Sequence, residues 1–257
     1  ARPINNVTLD GCIITSANQN ILFMVGTGGT IVLRRNRLVS SGGSVCIHIG
    51  AQSSLGERLV GVLVEDNYIQ NAATHCLYCN ADSAVLQRNQ CVMTGTADLG
   101  VVCKWGNGYT VRNNLVRLPA SASSQRAYMA KASSNVVFYN NTAVAGAAGQ
   151  GLFIVSNSDA GGIKTTNIVF VNNAMLGTAG QAINIADAAG TIVCDHNAWG
   201  AATVAFNIFG VTGTTLAAMQ AAWATAGYAG NDAHSAVAAA ALGTNYAPIA
   251  GGNCDAG

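Results

Sequence analysis

Charge is what this sequence has least of. Only 9% of its 257 residues are Asp, Glu, Lys or Arg, against about 25% in an ordinary soluble domain, so much of its outside is expected to be covered. Twelve basic and eleven acidic residues leave a formal charge of +1. That excludes the basic field needed to hold a phosphate backbone at physiological salt, and no nucleic-acid partner is expected. Long apolar runs are missing too: stretches such as Ala236 to Leu242 fall far short of the roughly 20 residues of a membrane-spanning helix, so no span is expected. Neither an initiator Met nor an apolar leader opens the chain, and Ala1-Arg2-Pro3 reads as the start left by trimming or processing. What is abundant is apolar residue, at 50% with a mean hydropathy of +0.32, which excludes a disordered chain.

The apolar residues fall into a repeat, which has to be sought before separate elements are assigned. Segments of the form apolar-x-apolar-x-x-Asn recur in eight rows whose last position is Cys12, Asn36, Asn67, Asn89, Asn114, Asn141, Asn173 and Asn197, separated by 24, 31, 22, 25, 27, 32 and 24 residues. Five residues earlier stand Val7, Ile31, Val62, Ala84, Tyr109, Val136, Ile168 and Ile192, and three earlier Leu9, Leu33, Val64, Leu86, Val111, Phe138, Phe170 and Cys194. Two residues later come Ile14, Leu38, Ile69, Cys91, Val116, Ala143, Met175 and Trp199. The period of two predicts strands, and its break at the Asn predicts a tight corner between two of them. A third apolar segment follows in each row. Rows this short cannot hold a crossover helix between parallel strands, so each is expected to form one rung of a coil.

These rows resemble the right-handed parallel β-helix of the pectin-lyase-like superfamily, whose rungs carry an asparagine ladder at the turn between the second and third strands. The expected fold is therefore all-β: a right-handed, single-stranded parallel β-helix of about eight rungs over residues 1–210. A C-terminal cap of helical and irregular structure is expected over 211–257. Within the cap, Leu216 to Trp223 reads as a short Ala-rich helix stopped at Gly227. Gly230-Asn-Asp-Ala-His-Ser235 and the tail from Asn245 to Gly257 resemble the closing motifs of secreted β-helix proteins. Nothing comparable precedes Val7, so the first rung is expected to be covered by further protein or by another subunit.

The eight cysteines lack the paired spacing of a zinc site. Cys79, Cys103, Cys91 and Cys194 are expected to point inward as buried thiols. Cys46 and Cys76 are expected on the outward face, where a bridge between neighbouring rungs is conceivable, and a Cys194–Cys254 bridge could pin the tail. Before the corners, Asp10, Arg34, Glu65, Gln87 and Arg112 and then Arg35, Asp66 and Arg88 read as a ladder of alternating charge up the stack.

The resemblance places active sites on the outward side of the third-strand sheet. There the sequence offers Phe23, His48, Tyr78, Val102, Met129, Phe153, Asn184 and Asn207, with Asn80, Lys104 and Lys131 two residues further on. A lyase needs a base and a cation to neutralise a uronate, roles open to His48, Tyr78, Lys104 and Lys131. Binding is open to Asn80, Asn184, Asn207, Phe23, Met129 and Phe153. No carboxylate cluster for calcium and no carboxylate pair for glycoside hydrolysis stands on this sheet, and no metal or cofactor is expected. Arg117-Leu-Pro119, Cys194-Asp195-His196 and Gly162-Ile163-Lys164 match only fragments of lyase or polygalacturonase motifs, and the second falls in the corner column.

Phe23, Val25, Val102, Met129, Phe153, Val155 and Phe209 would form an outward apolar stripe, a feature of interfaces. The leading expectation is an extracellular, cell-surface or virion-exposed structural protein (a spike, fibre or surface-layer component) that self-associates and binds polysaccharide. The alternative is a polysaccharide lyase or glycoside hydrolase working in the third-sheet groove.

Overall fold

The structure, a computed structural model, describes residues 6–17, 22–24, 29–42, 45–50, 59–71, 74–94, 99–119, 125–145, 151–155, 163–176, 181–200 and 205–237. The chain coils as a parallel β-solenoid with three long sheets. The first sheet stacks the strands that precede the corners, from Val7–Asp10 through Asn107–Arg112 to Ala188–Asp195. The second stacks those that follow, from Ile13–Ser16 to Ala198–Trp199, and the third runs from Leu22–Met24 to Phe206–Ile208. The coil makes about six turns, a small departure from the eight rows of the repeat. All eight rows do stack as strands in each of the first two sheets.

The asparagines form one buried axial file. Each Oδ1 accepts both the backbone N–H and the side-chain N–H of the Asn one rung earlier: Asn89 N and Nδ2 lie 2.9 and 3.0 Å from Asn114 Oδ1, and Asn114 N and Nδ2 lie 3.1 and 3.0 Å from Asn141 Oδ1. Each Nδ2 also donates to a carbonyl of the preceding rung, as Asn114 does to Leu86 at 2.8 Å. All four hydrogen-bonding valences of a buried amide are thereby used, which is why Asn and no apolar residue of similar size suits this corner. The turn itself is made by the residue before: Arg35, Asp66, Arg88, Asn113, Asn140, Asn172 and His196 all have φ between 54° and 56°, a left-handed conformation that costs a non-glycine residue about 1–2 kcal/mol.

Inside, the columns read from the sequence are the core. Leu33, Val64, Leu86, Val111, Phe138 and Phe170 are buried one above another, and Phe138 and Phe170 stack with ring centres 5.2 Å apart. Outside the corners, the charge ladder forms as expected. Asp10 bonds Arg34 and Arg35 at 3.0 and 2.5 Å, Arg88 bonds Glu65 and Asp66 at 2.6 and 2.8 Å, and Gln87 links Glu65 to Arg112.

The third sheet departs from simple alternation. His75 and Tyr78, three residues apart, both lie outward, while Cys76 and Leu77 between them both belong to the core. The neighbouring strand Val45–Ile49 is in register with this one, and Cys46 and Ile47 are likewise inside. Cys46 and Cys76 are therefore core residues and not the outward pair expected. Among the described residues all the cysteines are thiols, including Cys79, Cys103, Cys91 and Cys194 in the core. Cys254, proposed to bridge to Cys194, lies outside the described residues.

The last rung is closed by Val211–Gly213, which returns antiparallel to Phe206–Ile208, and by helix α1, Leu216–Thr225. Thr215 caps that helix, its side chain accepting the Ala218 N–H, and Gly227 follows it at φ +88°. The helix buries Met219, Ala222 and Trp223 against the core. Beyond it, Asp232 is fully buried and knots the cap together. Its carboxylate accepts the indole N–H of Trp199 at 3.1 Å and of Trp223 at 2.8 Å, and the Ser235 hydroxyl at 2.6 Å.

Candidate functional site

Strand register brings most of the expected outward residues into one row. Phe23, His48, Tyr78, Val102, Met129, Ile154, Asn184 and Asn207 are successive partners across the third sheet. Phe153 is not in this row. It pairs with Tyr128 and Ile183, both buried in the core, and Ile154 is the residue in register with Met129 and Asn184. A slip of one residue in a strand exchanges the two faces, and the same correction applies to Val155, which is in the core beside Ala130 and Ile185. The side chains of Phe23 and Phe153, and all of Val25, lie outside the described residues.

The centre of the row is aromatic. The His48 and Tyr78 rings are 4.6 Å apart, and His75, which the sequence reading passed over, stacks on Tyr78 at 6.1 Å with 11° between planes. Tyr78 and Val102 join Val45 and Leu99 in an apolar cluster against which Met129 packs. This is the expected stripe, but it is not a free surface: His48 is 0%, Val102 2% and Tyr78 6% exposed. Burial, with the charge of His75 second, presses His48 down to about 4, against a hydrogen bond with Gly50 that raises it. His48 is thus a neutral, enclosed imidazole through the physiological range.

The lysines stand apart from that centre. Lys104 and Lys131 are register partners, and Lys104 Nζ lies 3.6 Å over the ring of Trp105, a cation–π contact. Asn80 is buried at the end of the Tyr78 strand, its N–H bonded to the Ile49 carbonyl at 2.8 Å. Asn184 donates to Gln181 at 3.2 Å, and Asn207 accepts the Gly210 N–H at 2.9 Å, closing the turn into the cap. The row thus joins His48 to Tyr78 and Asn184 to Asn207, but it keeps the two lysines a step away from the aromatic pair.

A cleft of about 250 Å³ opens nearby, bounded by Trp105, Ser133, Ser134, Lys164 and Thr166. Lys164 is held at its rim by Asp187 at 2.9 Å.

Among the described residues one trio could hold a metal ion: Asp195, His196 and His234. It lies on the corner of the last rung and not on the third sheet. The fragment Cys194-Asp195-His196 and the closing motif Gly230–Ser235 each stand out in the sequence, but 39 residues separate Asp195 from His234 and no local pattern joins them. Burial draws Asp195 upward, yet hydrogen bonds from the side chain and amide of His234 and the amide of His196 outweigh it and hold the carboxyl below its usual range.

In comparisons with known proteins, no family model, curated protein or solved structure matches this chain.

Proposed function

We propose that this chain is a structural β-helix of the pectin-lyase-like kind, serving outside the cell, at its surface or on a virion as a spike, fibre or surface-layer component. In this reading it works as a homo-oligomer and offers one flank to polysaccharide. The inequality of its two ends carries the proposal. The C-terminal end is closed by α1 and the Asp232 knot. At the other end Val7, Leu9 and Ile14 are half-exposed and Ile13 is 78% exposed, whereas Ile31, Leu33 and Leu38, next in the same columns, are 0% exposed. Among the described strands, Val7–Asp10, Ile13–Ser16 and Leu22–Met24 have a neighbour on one side only. An open strand edge over an incompletely covered core is a template for another chain. Where further residues of the same protein do not cover this edge, the partner proposed for it is a second open end, which gives a two-fold pair because the far end is closed.

The cleft beside Trp105 supports the polysaccharide part of the proposal. It gathers the hydroxyls of Ser134 and Thr166 and the ammonium group of Lys164 beside Trp105, and sugars are bound by convergent polar groups of this kind. The burial of His48 and Tyr78 leaves neither of them accessible as the base that the lyase or glycosidase alternative needs. Turnover of an acidic oligosaccharide that disappears in Lys104→Ala would restore it.

Sedimentation velocity over a wide concentration range tests the assembly. A dimer is expected for the native chain, and a monomer for Ile13→Lys/Thr15→Lys, which sets charge on the open edge. A native chain that stays monomeric at the highest concentration reached would overturn the proposal.

A further inference from the structure

We infer that Asp195, His196 and His234 form a binding site for a divalent transition-metal ion of the zinc type, which clasps the C-terminal cap to the last rung. The donor atoms of the three side chains all lie within 4.8 Å of one another. His234 Nδ1 is 2.7 Å and His196 Nε2 3.9 Å from Asp195 Oδ2, and the two imidazoles sit with centroids 4.8 Å apart. Two ligands each about 2.1 Å from a tetrahedral ion stand about 3.4 Å apart, a value that the two measured distances straddle. Shifts of about half an ångström to an ångström at the donor atoms, within reach of imidazole rotation, would bring the set to that spacing.

The frame around the trio is firm. Asp195 ends the strand Ala188–Asp195, and its Oδ1 accepts the His234 backbone N–H at 2.8 Å. His234 belongs to the segment that Asp232 anchors: the Asp232 N–H bonds the Cys194 carbonyl, and the Ala236 N–H bonds the Asn197 carbonyl at 2.9 Å. The imidazoles are open to solvent, with side chains 46% and 68% exposed, so an ion could enter and would keep coordination positions for water. Two imidazoles and one carboxylate are a ligand set for zinc or another late first-row ion, and an unsuitable one for calcium, which takes six to eight oxygens.

The corner itself supplies a conservative test. His196 occupies the left-handed position that Asn113, Asn140 and Asn172 fill in earlier rungs. His196→Asn therefore removes one ligand while keeping a residue the fold already uses there, and it leaves the His234–Asp195 hydrogen bond in place. The full chain, prepared without a histidine tag and stripped with chelator, is titrated with Zn²⁺ by calorimetry and with Co²⁺ by visible absorption.

One ion per chain is expected, with cobalt bands of nitrogen and oxygen ligation. Affinity should fall at least about tenfold in His196→Asn and in His234→Ala, and zinc should raise the melting temperature of the native chain but not of His196→Asn. No binding, equal binding in native and His196→Asn chains, or a thiolate charge-transfer band would each overturn the inference. Equal binding would mean that the Asp195–His234 contact is a cap hydrogen bond only. A monomer in the sedimentation experiment would leave this site untouched, because it lies at the opposite end of the stack from the open edge.

Discussion

Replacing Asn114 by Ala should destabilise the whole coil, and the size of the effect can be worked from its neighbours. The side chain makes four hydrogen bonds: it accepts two from Asn89 and donates one to Leu86 and one to Asn141. After truncation, Asn89 Nδ2 keeps its bond to the Val64 carbonyl at 2.8 Å, and Asn141 Oδ1 keeps the Asn114 backbone N–H at 3.1 Å. The Leu86 carbonyl belongs to a strand paired with Asn107–Arg112, but the Asn89 backbone N–H keeps nothing in its place, and Asn89 is 1% exposed. A buried polar group left unsatisfied costs about 1–3 kcal/mol, so the loss should be about 1–3 kcal/mol before any cavity term. That is a large share of the roughly 5–15 kcal/mol that holds a typical domain together.

Urea unfolding followed by far-ultraviolet circular dichroism measures this loss. The slope of the transition should be inspected as well, because a stack of repeats can lose cooperativity. Asn113→Gly is the matched control: it removes the adjacent side chain, whose φ of 56° glycine adopts without strain, and should change stability by no more than about 0.5 kcal/mol. Equal midpoints for the two variants would refute the hydrogen-bond argument for the file.

Three further outcomes are expected. Asp232→Ala strands two buried indole N–H groups and should cost about 2–5 kcal/mol, read as early loss of near-ultraviolet tryptophan signal in thermal melts; a native-like melt would show that the knot is dispensable. His48 titrates near 4 when folded and near 6.5 when unfolded, so the unfolded chain binds the extra proton between these values. Stability from this group is complete above about pH 6.5 and declines as pH falls toward 4, a decline that His48→Leu should flatten in melts across that window. Gly50 has φ +87°, and a Cβ there would lie only 2.1 Å from the Asn80 carbonyl oxygen; Gly50→Ala should therefore lower the melting temperature by several degrees, and an unchanged value would contradict the packing of that turn.

The coil was legible because its signal is periodic and redundant. Seven asparagines, three apolar columns and the Asp10–Arg34–Glu65 series each mark the same corner, so an error in one row is corrected by the others. The third sheet offered no such marker. Its strands start at varying distances from the corner, and Cys76 and Leu77 are consecutive residues that both belong to the core, which alternation alone cannot anticipate. Cys46, Cys76, Phe153 and Val155 were misplaced for that reason. Burial of the His48–Tyr78 row is likewise a tertiary property that no pattern in its own strand encodes. The trio at Asp195 escaped for a third reason: its halves lie in different structural units, and only the folding of the cap onto the last rung brings them together.

The corner residues carry one more implication. Gly11, Arg35, Asp66, Arg88, Asn113, Asn140, Asn172 and His196 differ in size and charge, yet their backbones turn alike, with φ from 54° to 66°. The vertex thus behaves as a row of sockets at intervals of about 4.8 Å, indifferent to what is plugged in provided that the asparagine behind it stays. An engineer could write a chosen sequence of cations, amides or chelators along this edge as on a ruler, leaving the interior unaltered.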